Sequence, residues 1–139
     1  MPETRSASRP SPAATVVTGA AGWLGRALVD RLLHDPDRTH LRLLVHSTVE
    51  ADALREVAAA HAGTTRVDVV IGDIAKADTA RRLLNGLGDD AHLLHTAGVI
   101  HPKNVKQFYD VNTEGTRHLV AEAVDRRVGC MVHVSSNSP

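Results

Sequence analysis

The stretch Thr15 to Asp30, TVVTGAAGWLGRALVD, constrains this chain more than any other. A β-branched run from Thr15 to Thr18 meets Gly19, Gly22 and Gly25 at three-residue intervals, and the chain then continues with helical apolar spacing. The pattern reads as a strand, a tight turn and the start of a helix. Such a junction turns free backbone N–H groups and the positive end of a helix dipole toward one point, which suits an anion. The pyrophosphate of a dinucleotide has that chemistry.

Alternation follows to the end of the chain. Ala14 to Thr18 is the first strand. Leu24, Ala27, Leu28 and Leu32 share one face of the first helix, which Asp35-Pro36-Asp37 stops. Leu41 to Val45 reads as a second strand and Thr48 to Ala60 as a helix, with Gly63 beyond it as a stop. Arg66 to Ile71 is a third strand running into Gly72-Asp73-Ile74. A helix from Lys76 to Leu84 and a turn at Asn85 to Gly88 lead to a fourth strand, Ala91 to Thr96. Asn104 to Arg127 is a long helical stretch with Phe108, Val111, Leu119, Val120 and Val124 as apolar positions and an interruption at Gly115. Cys130 to Val134 is the last strand. These elements predict an α/β fold, a Rossmann-like doubly wound parallel sheet of about five strands with helices on both faces. Ligands of such sheets bind beyond the carboxyl ends of the strands, where strand order reverses.

With 139 residues and 42% hydrophobic content, the chain has material for one core. Residues 14–139 read as one domain, and the Ser-, Pro- and Arg-rich residues 1–13 as a disordered tail rather than a transit peptide. Lys plus Arg and Asp plus Glu number 16 each, leaving no positive excess for a nucleic-acid backbone. No apolar run approaches the roughly 20 residues of a transmembrane helix. The lone Cys130 cannot form an internal disulfide and reads as a small buried thiol, which fits a reducing cytoplasm. None of the nine histidines has metal-site spacing, and His92 and His95 point to opposite faces of their strand. Trp23 reads as packing in the first turn of the first helix.

A glycine pattern between a strand and a helix is far more specific than the same pattern alone. Its spacing here is TGxxGxxG, and it resembles that of the extended short-chain dehydrogenases/reductases, the branch that includes NAD-dependent epimerases, dehydratases and 3β-hydroxysteroid dehydrogenases. Four further segments, in order, carry the same resemblance: Gly72-Asp73-Ile74, HTAG from His95 to Gly98, VNTEGTRHLV from Val111 to Val120, and VHVSSNSP at the end. The resemblance implies a cofactor cradle of Gly19, Ala21, Gly22, Trp23, Leu24 and Gly25, with the Trp23 N–H facing the pyrophosphate. It implies that Asp73, with Ile74 beside it, receives the adenine amino group, and that Ala97 and Gly98 let the backbone approach the riboses. Asn112 is implied near the nicotinamide, and Ser136, with Ser135 beside it, as the catalytic hydroxyl. By composition alone, the two serines also read as a cap on a turn after a strand.

The residue ending the second strand separates NAD from its 2′-phosphorylated form, because an acid there binds the ribose hydroxyls and a base accepts the phosphate. His46 stands at that place with Arg42 upstream, and no acid does. His46 reads as a donor to a 2′-phosphate or as a solvated loop histidine, and the first favours NADP.

The tyrosine and lysine that complete the family's proton transfer form a YxxxK motif after the serine strand. The only tyrosine here is Tyr109, with Thr113 four residues on. The resemblance therefore implies the N-terminal, C-terminally truncated part of a longer enzyme, inactive alone, with its last strand and some helix faces bare. The alternatives are a non-catalytic NADP-binding or sensor module and a gene product without function. The substrate and the oligomeric state stay open.

Overall fold

The computed structural model describes residues 12–136. Its elements are β1 (Ala14–Thr18), α1 (Trp23–Leu33), β2 (His40–Val45), α2 (Thr48–Ala60), β3 (Arg66–Ile71), α3 (Ala77–Leu83), β4 (Ala91–His95), α4 (Val105–Phe108), a π-helical segment (Tyr109–Gly115), α5 (Thr116–Asp125) and β5 (Cys130–His133). Most of the tail expected over 1–13 lies outside the described residues. Pro12 is already buried, and the Ala13 N–H donates to Asp90 O at 2.8 Å.

The strands form one parallel sheet in the order β3-β2-β1-β4-β5. β1 lies at its centre, with β2 on one side and β4 on the other, so strand order reverses at the end of β1. Successive side chains of a strand face opposite sides of the sheet, and the core divides accordingly. Val16, Leu44 and Leu93 pack on one side with Leu83, Leu119 and Ala123 from α3 and α5. Val17, Leu41, Leu43 and Val45 pack on the other with Val29, Leu33, Ala51 and Leu54 from α1 and α2. A strand covered on both faces must be apolar throughout, and β1 is buried at every position. Each fully buried Leu or Val contributes on the order of 2 kcal/mol to this arrangement.

Several expectations need correction. The buried face of α1 is Gly25, Val29 and Leu33, one position on from the expected Leu24, Leu28 and Leu32, which are half-buried, while Ala27 is exposed. The helix rotates because Gly25, lacking a side chain, lets its backbone press against the turn. The stretch after Asn104 is helical through Gly115 without a break, but it widens to a π-helix over Tyr109–Gly115. Gly115 itself is buried against Ile74. Of its expected apolar face only Leu119 is buried, whereas Phe108, Val120 and Val124 are exposed. Cys130 is exposed, not buried, because β5 is an edge strand with only β4 beside it. Val132 and Val134 are exposed for the same reason. Edges of this kind invite pairing with another strand.

Replacement of Leu93 by Ala, which opens a cavity where the side chain is fully buried, should cost about 2–5 kcal/mol in urea unfolding. Val124→Ala, on a side chain 69% exposed, should change stability by less than about 0.5 kcal/mol.

Candidate functional site

At the end of β1 the backbone turns through Gly19, whose φ of +64° lies in the left-handed region where a side chain is strained. A Cβ there would also come within 2.8 Å of the Ala97 nitrogen. The turn closes with Gly22 N–H donating to Gly19 O at 3.0 Å, and Ala20 N–H ties it to Leu44 O of β2 at 3.2 Å. At Gly25 a Cβ would fall 2.0 Å from Gly19 O, so only glycine allows the first turn of α1 to sit against the loop. The leading N–H groups of α1 lack intrahelical acceptors and emerge beside this loop. Arg26 braces it through Nε to Ala21 O at 2.8 Å. Trp23 does not pack as expected: it is 90% exposed. Two residues from Gly25 on a helix, its side chain points away from the face that Gly25 buries.

Beyond the strand ends lies a groove of ≈ 260 Å³, and Gly19, Ala21, Gly22, His46, Asp73, Ile74, Ala97 and Gly98 all border it. Eight residues singled out from the sequence thus meet around one space. Leu44, Val45, Glu50, Gly72, Val99, Gln107 and Val111 complete its walls. Asp73 is held by its Oδ1 accepting the Ala75 N–H at 3.0 Å. A larger, more open concavity of ≈ 540 Å³ between Asn112, Thr116 and Val120 shares no residue with the glycine turn.

The end of β2 differs from the sequence reading. No acid stands directly after Val45, but Glu50, in the first turn of α2, reaches back to it. Its Oε2 accepts the N–H groups of His46 at 2.8 Å and Ser47 at 3.2 Å, while Ser47 Oγ accepts the Glu50 N–H at 3.3 Å. This is a capping box, and Ser47-x-x-Glu50 is its sequence signature. The motif could have been read from the chain; that it brings a carboxylate into the groove could not. The His46 side chain stays exposed at the rim.

The loop after β4 is fixed from two sides. Thr18 Oγ1 accepts the N–H groups of Thr96 at 3.1 Å and Ala97 at 3.2 Å, and Thr96 Oγ1 donates to Thr18 O at 2.6 Å. Asn112, carried on the π-helical segment, clamps the next residues: its Oδ1 accepts the Val99 N–H at 2.7 Å and its Nδ2 donates to Val99 O at 2.9 Å. The amide of Asn112 therefore shapes the loop. His95, fully buried at the end of β4, lies between Thr18 Oγ1 (2.6 Å from Nδ1) and Thr116 Oγ1 (2.8 Å from Nε2), with His133 stacked at 4.9 Å. Burial, together with the neighbouring His133, lowers its pKa to about 4.

Trp23, Leu24, Gly25, Asn112, Ser135 and Ser136 stand outside the residues bordering the groove. Ser135 and Ser136 are exposed beyond β5, whose line is continued by Val134 N–H donating to His95 O at 3.0 Å. Among the described residues, no cluster of His, Cys, Asp and Glu could hold a metal ion, and no helix is long and apolar enough to cross a membrane.

A doubly wound parallel sheet with a glycine turn at its reversal point, faced by the loop of the next strand, is the dinucleotide-binding architecture of short-chain dehydrogenases/reductases. Residues 16–138 match the model of the 3-beta hydroxysteroid dehydrogenase/isomerase family, and the chain belongs to that family. An uncharacterized protein of Sinorhizobium fredii, y4nL, is 36% identical over an alignment of 132 residues that covers 89% of this chain and 35% of that protein. The chain thus spans about a third of that relative's length. Uronate dehydrogenase from Agrobacterium tumefaciens is 27% identical, with a TM-score of 0.68 over 89% of this chain and 41% of that one. One variant of that enzyme, 28% identical with a TM-score of 0.65 over the same shares, was solved in complex with NAD. Yeast methylglyoxal/isovaleraldehyde reductase, solved with NADPH, shares the fold at 22% identity, with a TM-score of 0.72 over 88% of this chain and 37% of that one.

The neutral His95 makes stability depend on pH. The unfolded chain takes up a proton near pH 6.5 that the folded chain refuses until about 4. Stability is therefore complete above the unfolded value and falls with acid between the two, by on the order of 3 kcal/mol. Chemical unfolding across that range should show the loss, and His95→Asn should flatten it.

Proposed function

We propose that this chain binds a nicotinamide dinucleotide in the groove and forms the cofactor-holding part of an oxidoreductase. The parent reaction is hydride transfer between nicotinamide C4 and a carbinol or ketone carbon. The observation that carries the reading is the convergence of the glycine turn, Asp73 and the Ala97-Gly98 loop on one space at the point where strand order reverses. The residues fit such a group: two successive close approaches at Gly19 and Gly25 leave no room for side chains between the turn, the helix and the facing loop.

In this reading the pyrophosphate lies against Gly19, Ala21, Gly22 and the N–H groups of Trp23, Leu24 and Gly25, where partial positive charge is fixed in place. Asp73, with Ile74, receives the adenine, and Ala97 and Gly98 face a ribose. Asn112 holds the loop near the nicotinamide through Val99. Ser136, with Ser135 beside it, offers a hydroxyl to the substrate oxygen, where it stabilises the charge that develops as hydride moves. We read NADP as the preferred form, with His46 donating to the 2′-phosphate. Its support is that Glu50, the nearest acid, is engaged by two backbone N–H groups. That same carboxylate, present at the end of β2, favours NAD as the second reading, because its charge opposes a phosphate.

The chain as it stands has no YxxxK, so nothing in it transfers the proton, and we infer that it does not turn over alone. A non-catalytic, NADP-binding sensor module accounts for the same groove. Zero formal net charge supports neither reading's association with nucleic acid.

Trp23, the only tryptophan, is exposed at the groove's helix, so energy transfer from it to bound NADPH reports binding directly. Titration should give saturable transfer, tighter for NADPH than NADH, weakened toward NADH levels by His46→Ala and abolished by Gly25→Val. Absence of binding to either dinucleotide would defeat the proposal, and tighter NADH binding would reverse the cofactor preference. With NADP+ and alcohols, or with NADPH and ketones, no turnover is expected; NADP+ reduction or NADPH oxidation that depends on Ser136 would overturn the claim of inactivity.

A further inference from the structure

The two loops that face each other across the groove touch backbone to backbone, since a Cβ on Gly19 would meet Ala97 N at 2.8 Å and its Cα at 2.9 Å. Their relative position is set next door, at Thr18 Oγ1. That oxygen has two lone pairs and one proton. Both lone pairs are taken, by the N–H groups of Thr96 and Ala97. The hydroxyl proton must then go to the remaining partner, Nδ1 of His95, at 2.6 Å. Nδ1 is therefore an acceptor without a proton, and a neutral imidazole carries its hydrogen on Nε2, which donates to Thr116 Oγ1 at 2.8 Å.

One chain of hydrogen bonds thus runs from α5 through the sheet to the groove, and each link fixes the direction of the next. We propose that His95 is a positioning residue for the dinucleotide: held as the Nε2–H tautomer, it orients the Thr18 hydroxyl so that Thr18 can gather the loop 96–98 against the glycine turn. This rests on the reading of the groove as a dinucleotide site. His95 does not border the groove, and acts only through Thr18. Around it stand Thr18 from β1, Thr116 from α5 and His133 from β5, and His133 is the ionisable group among them. A positive charge on His133 opposes protonation of His95 and so favours the neutral ring.

A buried histidine that served only to fill space would be replaced well by an apolar side chain. A hydrogen-bond acceptor at Nδ1 would not, and Asn can supply that acceptor at the same distance along the side chain, through Oδ1. The test uses the whole chain in three forms: unmodified, His95→Asn and His95→Leu. NADPH affinity is read by energy transfer from Trp23, with the unfolding midpoint of each form measured alongside. His95→Leu should weaken NADPH binding about tenfold, the effect of one lost buried hydrogen bond to a positioned group, and His95→Asn should stay within about twofold of the unmodified chain, well short of that loss. Equal affinity for Leu and unmodified forms, or Asn weakened as much as Leu, overturns the proposal.

Nitrogen-15 NMR of the unmodified chain tests it without cofactor and whether or not the variants fold. His95 should show a protonated Nε2 and a bare Nδ1; in the folded variants, the amide signals of Thr96 and Ala97 should move further in His95→Leu than in His95→Asn. A proton on Nδ1 at neutral pH overturns the inference. If no NADPH binds to the unmodified chain, the dinucleotide reading fails while the tautomer and the amide shifts still decide the role of His95.

Discussion

The structure depends on how closely the backbone at Gly19 is approached from two directions. From one side α1 presses its first turn onto Gly19 O, which only Gly25 permits; from the other, Ala97 brings the loop of β4 against the same residue. These contacts force β1, α1 and β4 into one corner of the sheet. Interiors pack at crystal-like density, so an added methyl at such a point has nowhere to go. The groove exists because three backbones meet there without side chains between them, and main-chain groups make the part of its wall at the glycine turn.

Burial surrounding that corner then decides which polar groups are tolerated. β1 is covered on both faces, yet it carries Thr15 and Thr18, each nearly or fully buried. Arg38 Nη1 donates to the Thr15 hydroxyl at 3.0 Å, and Thr18 is matched by Thr96, Ala97 and His95. A buried hydroxyl without partners costs about 1–3 kcal/mol, so these threonines imply their partners. His95 follows the same logic: uncharged, between two hydroxyls, it satisfies both ring nitrogens. The edge of the sheet is the opposite case. Around β5 and the outer side of α5, apolar residues such as Val124 and Val132 face water, because no described element covers them.

Legibility followed from the distance over which each feature is determined. The strands and helices, most of their bounds to within a residue or two, and the alternation behind the parallel sheet came from local periodicity and turn residues, and so did the glycine turn; the π-helical segment did not. Eight of the expected site residues meet at the groove because they sit at the ends of strands, and a parallel sheet gathers those ends on one side. What escaped was orientation. The α1 face was displaced by one residue, since the spacing of Leu24, Leu28 and Leu32 is as regular as that of Gly25, Val29 and Leu33, and a glycine does not announce itself as a packing residue. Cys130 and Trp23 are apolar enough to read as buried, but their exposure is set by what lies next to β5 and by the rotation of α1.

By itself, then, the sequence determined the class of fold, the strand-end residues that meet at the groove and the family, since these rest on residue type and spacing along the chain. Tertiary structure alone decided that Glu50 puts a carboxylate at the end of β2, that Asn112 is spent on Val99, and that Thr18, His95 and Thr116 form one directed chain. Hydrogen bonds act over about 3 Å between atoms. Thr18 and His95 lie 77 positions apart in the chain, so no local pattern could have paired them; the register of β1 against β4 did.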